Sequence, residues 1–430
     1  MPARMHFHHP LLVLLLLLAV GFQVFDPSRV WKILIIGLGG VWFIGWLWAR
    51  VLARSLRLVR EMRYGWAQVG DRLEERFTLV NNCILPVTWV EVEDHSTLPG
   101  YSASLATAVG GEGEVTLLRE GYCSRRGLYL LGGTTLRFGD PLGMYTVTLE
   151  DPASRALLVL PPVVPLPTIE VTPSGYTGDG RPLGRTWEEN IRSAGVREYQ
   201  PGDPLRRIHW PTSARRNKLY IHQLEGSPSG TWWILLDLDE RVQIGNDWDS
   251  TVEHGVILAA SLAERGLREN RAVGLVINGK SPEWLIPRGN AQQGWSMRRA
   301  LALAQPGDLP LGEFLQRSEK TLGKHASLVM ITASTSMEWI EPLTLFLRRG
   351  LVPTVLLLAA DSFGGHGNSQ VISEQLQGMG IVCHVITREV LNRPEARPGQ
   401  AGHWQFQQSK VTGKVRVIQR PDSVDWRRLT

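Results

Sequence analysis

Two apolar runs separated by four residues open this chain and constrain its fold more than any other feature. Residues 11–25 contain one polar side chain, Gln23, and residues 30–49 one charge, Lys32. A helix rises about 1.5 Å per residue, so the second run reaches roughly the 30 Å of a hydrocarbon core. The first run is shorter and borrows residues 7–10, while Asp26-Pro27-Ser28-Arg29 supplies a tight turn. The pattern predicts two N-terminal transmembrane helices joined as a hairpin. A cleaved signal peptide is the competing reading of the first run. No small-x-small site follows it, and the second run comes at once. Gly37-Leu38-Gly39-Gly40 lies inside the second span and reads as helix packing, not a phosphate loop.

Flanking charge sets the orientation. Arg50, Arg54, Arg57, Arg60 and Arg63 follow the second run against a single Glu61, and the loop between the runs is short. Basic residues stay inside, so the bulk of the chain and its N-terminus are expected on the cytoplasmic face of the plasma membrane. The Arg stripe, at helical spacing, predicts a juxtamembrane surface helix facing anionic lipid headgroups. His6, His8 and His9 are read as a loose tail before the first span.

Composition supports a multidomain protein. The 430 residues correspond to about three domains. Three cysteines exclude a disulfide scaffold, and Cys83 and Cys123 are expected as free thiols in a reducing compartment. The net charge of +5 is too small for a dedicated nucleic-acid binder, and no nucleic-acid partner is expected. That charge is local: residues 50–63 carry +4 and residues 181–218 carry +5, so the remainder is net −4.

Beyond a membrane segment at 1–63, residues 64–167 alternate short apolar strands with turn signals, as in Phe77-Thr78-Leu79-Val80 before Asn81-Asn82. This predicts a small antiparallel β-sandwich. Prolines 161, 162, 165 and 167 mark a linker, and 168–226 is polar and Arg-rich. From 227 to 387 the periodicity alternates. Trp232-Trp233-Ile234-Leu235-Leu236 reads as a buried strand, and Val252, Val256, Ala259, Ala263 and Leu267 form one helix face. Further strands are expected at 272–277, 328–332, 352–359 and 381–386, with helices between. Near-continuous apolar strands alternating with helices predict a doubly wound, Rossmann-type α/β domain. Residues 388–430 form a polar tail.

Gly274 to Ser281 fits the Walker A spacing, but the residues between its glycines are themselves the strand, so no phosphate loop is expected. Pro282 instead leads into Trp284-Leu285-Ile286-Pro287, the second arm of a hairpin. No HExxH, CxxC or GxSxG occurs, and no catalytic constellation emerges. The densest motif runs from Val196 to Leu219. Its Arg side chains are candidates for bidentate pairing with Asp203, Glu188, Glu189, Glu198 and Glu225. That pairing fits a structural network and, as the second choice, an anion or partner site.

This motif resembles the signature of the DUF58 family: Arg197, Tyr199, Gly202, Asp203, Arg206, Ile208, Trp210, Ser213, Ala214 and Arg215 at the expected spacing. Ser124-Arg125-Arg126-Gly127-Leu128-Tyr129 and Asp140-Pro141-Leu142-Gly143 are supporting motifs. The resemblance implies a C-terminal domain similar to von Willebrand factor A domains. It also implies company with MoxR-type AAA+ ATPases and transglutaminase-like membrane proteins. A-type domains often bind Mg²⁺ through Asp-x-Ser-x-Ser. Here Asp237 and Asp239 are the candidate ligands of a degenerate site, because Arg241 places a cation where the metal would sit. The expectation is therefore a membrane-tethered interaction module without a cofactor, contacting lipids and a MoxR-type ATPase. A metal-dependent hydrolase at the membrane surface is the alternative, with Mg²⁺ as its ion.

Overall fold

The computed structural model describes residues 3–63, 65–166, 169–172, 193–199, 208–224, 231–318, 321–322, 326–348, 351, 353–391, 405–408, 415–418 and 427–428. The chain divides into two compact units. One comprises residues 1–160 with 398–407 and 416–430, the other 161–397 with 408–415.

The first unit starts with a strand, not a loose tail. β1 (Ala3–Phe7) leads into α1 (Pro10–Phe25), and α2 (Arg29–Ser55) returns from it. The strands β2 (Leu56–Met62), β3 (Trp66–Gln68), β4 (Arg72–Asn81), β5 (Val87–Asp94), β6 (Leu105–Val109), β7 (Glu114–Tyr122), β8 (Gly127–Gly139) and β9 (Tyr145–Leu160) follow. β1 pairs antiparallel with β9, Phe7 opposite Tyr145, in a sheet ordered β1-β9-β8-β5-β6 with β3 also on β9. His8 Nε2 lies 2.9 Å from the Thr146 hydroxyl, so the histidine-rich start is held in place.

α2 is long and apolar enough to cross a membrane; α1, 16 residues long, is apolar but shorter. Leucines 11, 14 and 17 of α1 and Val30, Ile33, Ile36 and Phe43 of α2 are exposed to their surroundings. The Phe22 and Trp31 rings stack at 4.9 Å across the turn. Lower in α2 the character changes: Gly45, Ala49 and Leu52 are buried, spaced to lie on one face.

The expected basic surface helix does not extend through residue 63. Residues 56–62 form β2, in which Leu56, Leu58, Arg60 and Met62 are buried alternately. Period-two burial requires a strand, and the inward Arg60 is tolerated only because carboxylates meet it. Its guanidinium donates to Glu75 on β4 and to Asp94 on β5, which belong to different sheets. Arg50, Arg54 and Arg57 are exposed, as the charge stripe predicts.

In the second unit, β10 (Ser193–Glu198) and β11 (Tyr220–Leu224) pair antiparallel, with α3 (Trp210–Arg216) between them in sequence. An α/β layer follows: β12 (Thr231–Asp237), α4 (Thr251–Arg268), β13 (Ala272–Asn278), β14 (Glu283–Arg288), α5 (Ala291–Leu303), α6 (Leu311–Ser318), β15 (Ser327–Thr332), α7 (Ile340–Arg348), β16 (Pro353–Leu358), α8 (Ser369–Gly378), β17 (Val382–Ile386) and α9 (Arg388–Leu391). The sheet order is β14-β13-β12-β15-β16-β17. All neighbours are parallel except β14, the hairpin arm on β13. Trp232, Ile234 and Leu236 join one core with α4 and α5, while Trp233 and Leu235 join another with α6, α7 and α8. Both faces are covered, which is why these strands are apolar throughout. Ser250 caps α4, its hydroxyl accepting from Glu253 N at 3.2 Å. Residues 164 and 169 are buried in the first of these cores, and Val164 N donates to Ser261 Oγ at 3.0 Å.

Near the C-terminus, β18 (Gln405–Gln408) pairs with β19 (Val415–Ile418). β20 (Arg427–Arg428) pairs with β2, giving the second sheet of the first unit the order β20-β2-β4-β7.

Candidate functional site

The chain winds from β12 outward to β13, then crosses to β15 on the other side of β12. In open α/β sheets such a reversal leaves a crevice at the carboxyl ends of the strands, the usual place for a ligand. Polar residues end three strands there: Asp237 on β12, Asn278 on β13 and Thr332 on β15.

These three residues form one cluster. Thr332 Oγ1 donates to Asp237 Oδ2 at 2.8 Å, and Asn278 Nδ2 donates to Oδ1 at 3.0 Å. The Asp239 amide adds a third donor to Oδ1 at 3.2 Å. Asp237 is 2% exposed. Burial pushes its carboxyl up to about 6; the hydrogen bonds from Thr332 and Asn278 counteract this. The same Asn278 Nδ2 donates to Leu309 O at 2.9 Å, whereas its buried Oδ1 has no hydrogen-bond partner.

Asp239 is engaged differently. Arg241 grips it as a fork, Nε to Oδ1 at 2.9 Å and Nη2 to Oδ2 at 2.6 Å. The hydrogen bond to Asp239 holds the guanidinium above its ordinary pKa. Gln243 Nε2 donates to Asp237 O at 3.3 Å and is itself fixed by Thr251 Oγ1 at 2.7 Å. A strap at 305–307 closes the edge. Gly307 N donates to Leu238 O, Glu240 N donates to Gly307 O, and Lys280 N donates to Gln305 O, at 2.8–3.0 Å.

This donor set does not fit a resident Mg²⁺. A hard cation requires several convergent free oxygens. Both Asp239 oxygens serve Arg241, and both Asp237 oxygens accept hydrogen bonds. Among the described residues no three His, Cys, Asp or Glu side chains come together. The Walker-like spacing is accounted for by packing. Gly274 lies inside β13, and a Cβ on Gly279 would stand 2.4 Å from Gln305 O.

The Arg-rich motif is only partly described. Gly202, Asp203 and Arg206 lie outside the described residues, and so do Glu188, Glu189 and Glu225. Arg197 is on β10, opposite Ile221. Tyr199 N donates to Leu219 O at 2.8 Å. His209 caps α3, its Nδ1 accepting from Thr212 N at 3.1 Å. Ser213 is buried and pins the helix to β11: its Oγ donates to His209 O at 3.0 Å and accepts from Tyr220 N at 2.9 Å. Glu198 pairs with Lys218 at 2.8 Å. Trp210 is 67% exposed and Arg215 is exposed. The motif thus combines structural pins with outward side chains.

Sequence reasoning found Asp237, Asp239 and Arg241 but missed Asn278, Thr332 and the 305–307 strap. The available signal was a polar residue ending each of three apolar strands.

Residues 195–359 match the family model described as "Protein of unknown function DUF58". The uncharacterised protein YeaD of Bacillus subtilis is 27% identical over 275 residues, covering 60% of this chain and 66% of that protein. An uncharacterised protein of Mycobacterium tuberculosis is 24% identical over 155 residues, 34% of this chain and 48% of its own length. The chain thus spans about half to two thirds of the length of these relatives. A CARDB domain of Pyrococcus furiosus aligns with 25% of this chain and 90% of its own at 14% identity, but its TM-score of 0.19 carries no fold argument. The match to the family model and the two relatives agree in what they support: through residues 195–359 this chain is similar to the DUF58 family.

Proposed function

We propose that this protein is a membrane-tethered interaction module. α1 and α2 cross the bilayer as a hairpin, and both units lie on the cytoplasmic side. One observation carries the tether. β1, before the hairpin, and β2, after it, belong to the same compact unit, so a chain that leaves through α1 must come back through α2. The exposed Arg50, Arg54 and Arg57 beside the returning helix favour the cytoplasmic side. A reporter that is active only in the periplasm, fused after Thr430, should be silent; activity there overturns the topology.

In this reading the two sheets of the first unit form a β-sandwich that supports an A-like α/β domain. The sheet order, with one antiparallel edge strand, supports that likeness. The cluster around Asp237 serves as a rigid floor beneath a protein-binding edge. The partner is a MoxR-type AAA+ ATPase, and a transglutaminase-like membrane protein belongs to the same assembly of an envelope complex. Co-purification from native membranes at native expression should recover the ATPase. Its repeated absence overturns the partnership.

A hydrolase using Mg²⁺ at Asp237 is the second reading, favoured by the unpartnered Asn278 Oδ1. It requires Arg241 to release Asp239. Calorimetry on the full chain in detergent should detect no Mg²⁺ binding; binding that Asp237→Ala abolishes would favour the hydrolase.

A further inference from the structure

The Asp140-Pro141-Leu142-Gly143 motif forms the turn between β8 and β9, and its construction is rigid. Asp140 is 1% exposed, and its carboxylate accepts from Leu142 N at 3.0 Å and Tyr145 N at 2.6 Å. Gly143 N donates back to Asp140 O at 3.1 Å, with Gly143 at φ +70°, a conformation suited to glycine. Asp140 and Gly143 are therefore explained by the turn itself. Pro141 also suits the second position of that turn, but the Leu142 side chain is not explained by it. Both point outward, Leu142 is 59% exposed, and the turn asks of residue 142 only its backbone N–H.

The position of the turn explains the outward Leu142. Next to it, His8 N donates to Met144 O at 2.9 Å, two residues before α1 begins, and the Phe7 ring lies 5.1 Å from that of Tyr145. On the other side, a Cβ on Gly45 would stand 2.4 Å from the Met144 methyl. Gly45 is also the first buried residue of α2, where its buried face begins. Both helices of the hairpin thus leave the first unit beside this turn, at the level where their apolar surface begins.

We infer that the 140–143 turn is a bilayer contact, with Pro141 and Leu142 seated at the headgroup–acyl boundary beside the base of the hairpin. The inference rests on the reading of α1 and α2 as membrane-embedded. The occupant is lipid because this surface continues the apolar surface of the hairpin. An apolar side chain at that boundary gains from leaving water and needs no specific partner. The contact would fix the tilt of the first unit against the membrane, which a hairpin alone leaves free to rock.

The test uses the full chain in lipid nanodiscs, with Cys83→Ser and Cys383→Ser and the buried Cys123 retained. An NBD fluorophore is placed in turn on Ile36→Cys in the hairpin, on Leu142→Cys, and on Leu130→Cys. Leu130 is exposed on β8 nine residues before Gly139, about 30 Å away at the strand rise. Doxyl-labelled lipids should quench the probes at 36 and 142, with blue-shifted emission at both, and leave 130 unchanged. Quenching at 36 without quenching at 142 overturns the inference and leaves the anchor standing. No quenching at 36 overturns the anchor and this contact with it. Equal quenching at 130 and 142 also overturns it, because the surface would then not be specific to the turn.

Discussion

Arg60 and Glu75 meet as a two-pronged ion pair inside the first unit, Nε to Oε1 at 2.9 Å and Nη2 to Oε2 at 2.6 Å. Their side chains are 4% and 0% exposed. Burial works against the Arg60 charge, and Glu75 and Asp94 more than offset it, so the guanidinium is held above its ordinary pKa. The Tyr101 hydroxyl also donates to Glu75, and Ser96 and Thr134 accept from Arg60. Replacing Arg60 by Met strands two buried carboxylates and should cost about 3–5 kcal/mol. Asp94→Asn keeps the Glu75 fork and should cost less. Denaturant unfolding of the full chain in detergent checks the order, and an equal loss in both variants contradicts it.

Asp237 predicts a pH dependence with a definite sign. Its folded pKa, about 6, lies above the ordinary carboxyl value of 3.8. The protonated form is therefore favoured by folding. The associated stability is fully present below pH 3.8 and is lost as pH rises through 6. The groups facing it are Asn278, Thr332 and Asp239, the last held by Arg241. Thermal unfolding from pH 4 to 7 should show a decline of up to about 3 kcal/mol in the wild type relative to Asp237→Asn. Parallel profiles contradict the assignment.

Gly279 should be intolerant for a reason unrelated to nucleotides. A Cβ would press on the Gln305 carbonyl, a backbone atom that cannot swing aside. Gly279→Ala should destabilise the second unit by about 1–3 kcal/mol. Lys280→Ala should leave stability near wild type, and a fluorescent ATP analogue should bind neither wild type nor variant. Saturable ATP binding lost in Lys280→Ala restores the phosphate-loop reading.

Ser213 serves the signature motif through its hydroxyl. Ser213→Ala removes the acceptor of Tyr220 N and should cost about 1–3 kcal/mol locally. Hydrogen exchange should rise at Tyr220 and through α3, while the sheet from β12 to β17 keeps its protection. Arg215→Ala, on an exposed side chain, should leave exchange unchanged.

The α/β unit was legible because its strands are apolar on both faces, so 232–236 and 353–358 declare themselves without knowledge of their neighbours. The segment after α2 was not. Arg57, Arg60 and Arg63 recur every three residues, which suits a helix face, whereas the strand that forms turns Arg57 outward and Arg60 inward. Arg60 occupies an inward position where a strand pattern calls for an apolar side chain. Only Glu75 and Asp94, placed by two different sheets, make that position tenable. β1 was missed for another reason: Ala-Arg-Met-His-Phe alternates apolar and polar side chains, but it is only five residues long and its partner lies some 140 positions downstream. At the candidate site, Asp237 could be read from the strand end, but Asn278 and Thr332 become its neighbours only through the crossover order of the sheet.

The pairing of β1 with residues 145–149 imposes an order on biosynthesis. The first five residues of the strand leave the ribosome long before Tyr145 does, roughly 10–30 s at ordinary elongation rates. During that interval β1 waits without its partner strand. Only when β9 emerges is its outer edge available, and β1 then closes it. Truncating the chain before Pro10 would leave both helices intact but deprive β9 of its edge partner. The shortened protein would carry an unpaired strand edge, to which neighbouring copies could add.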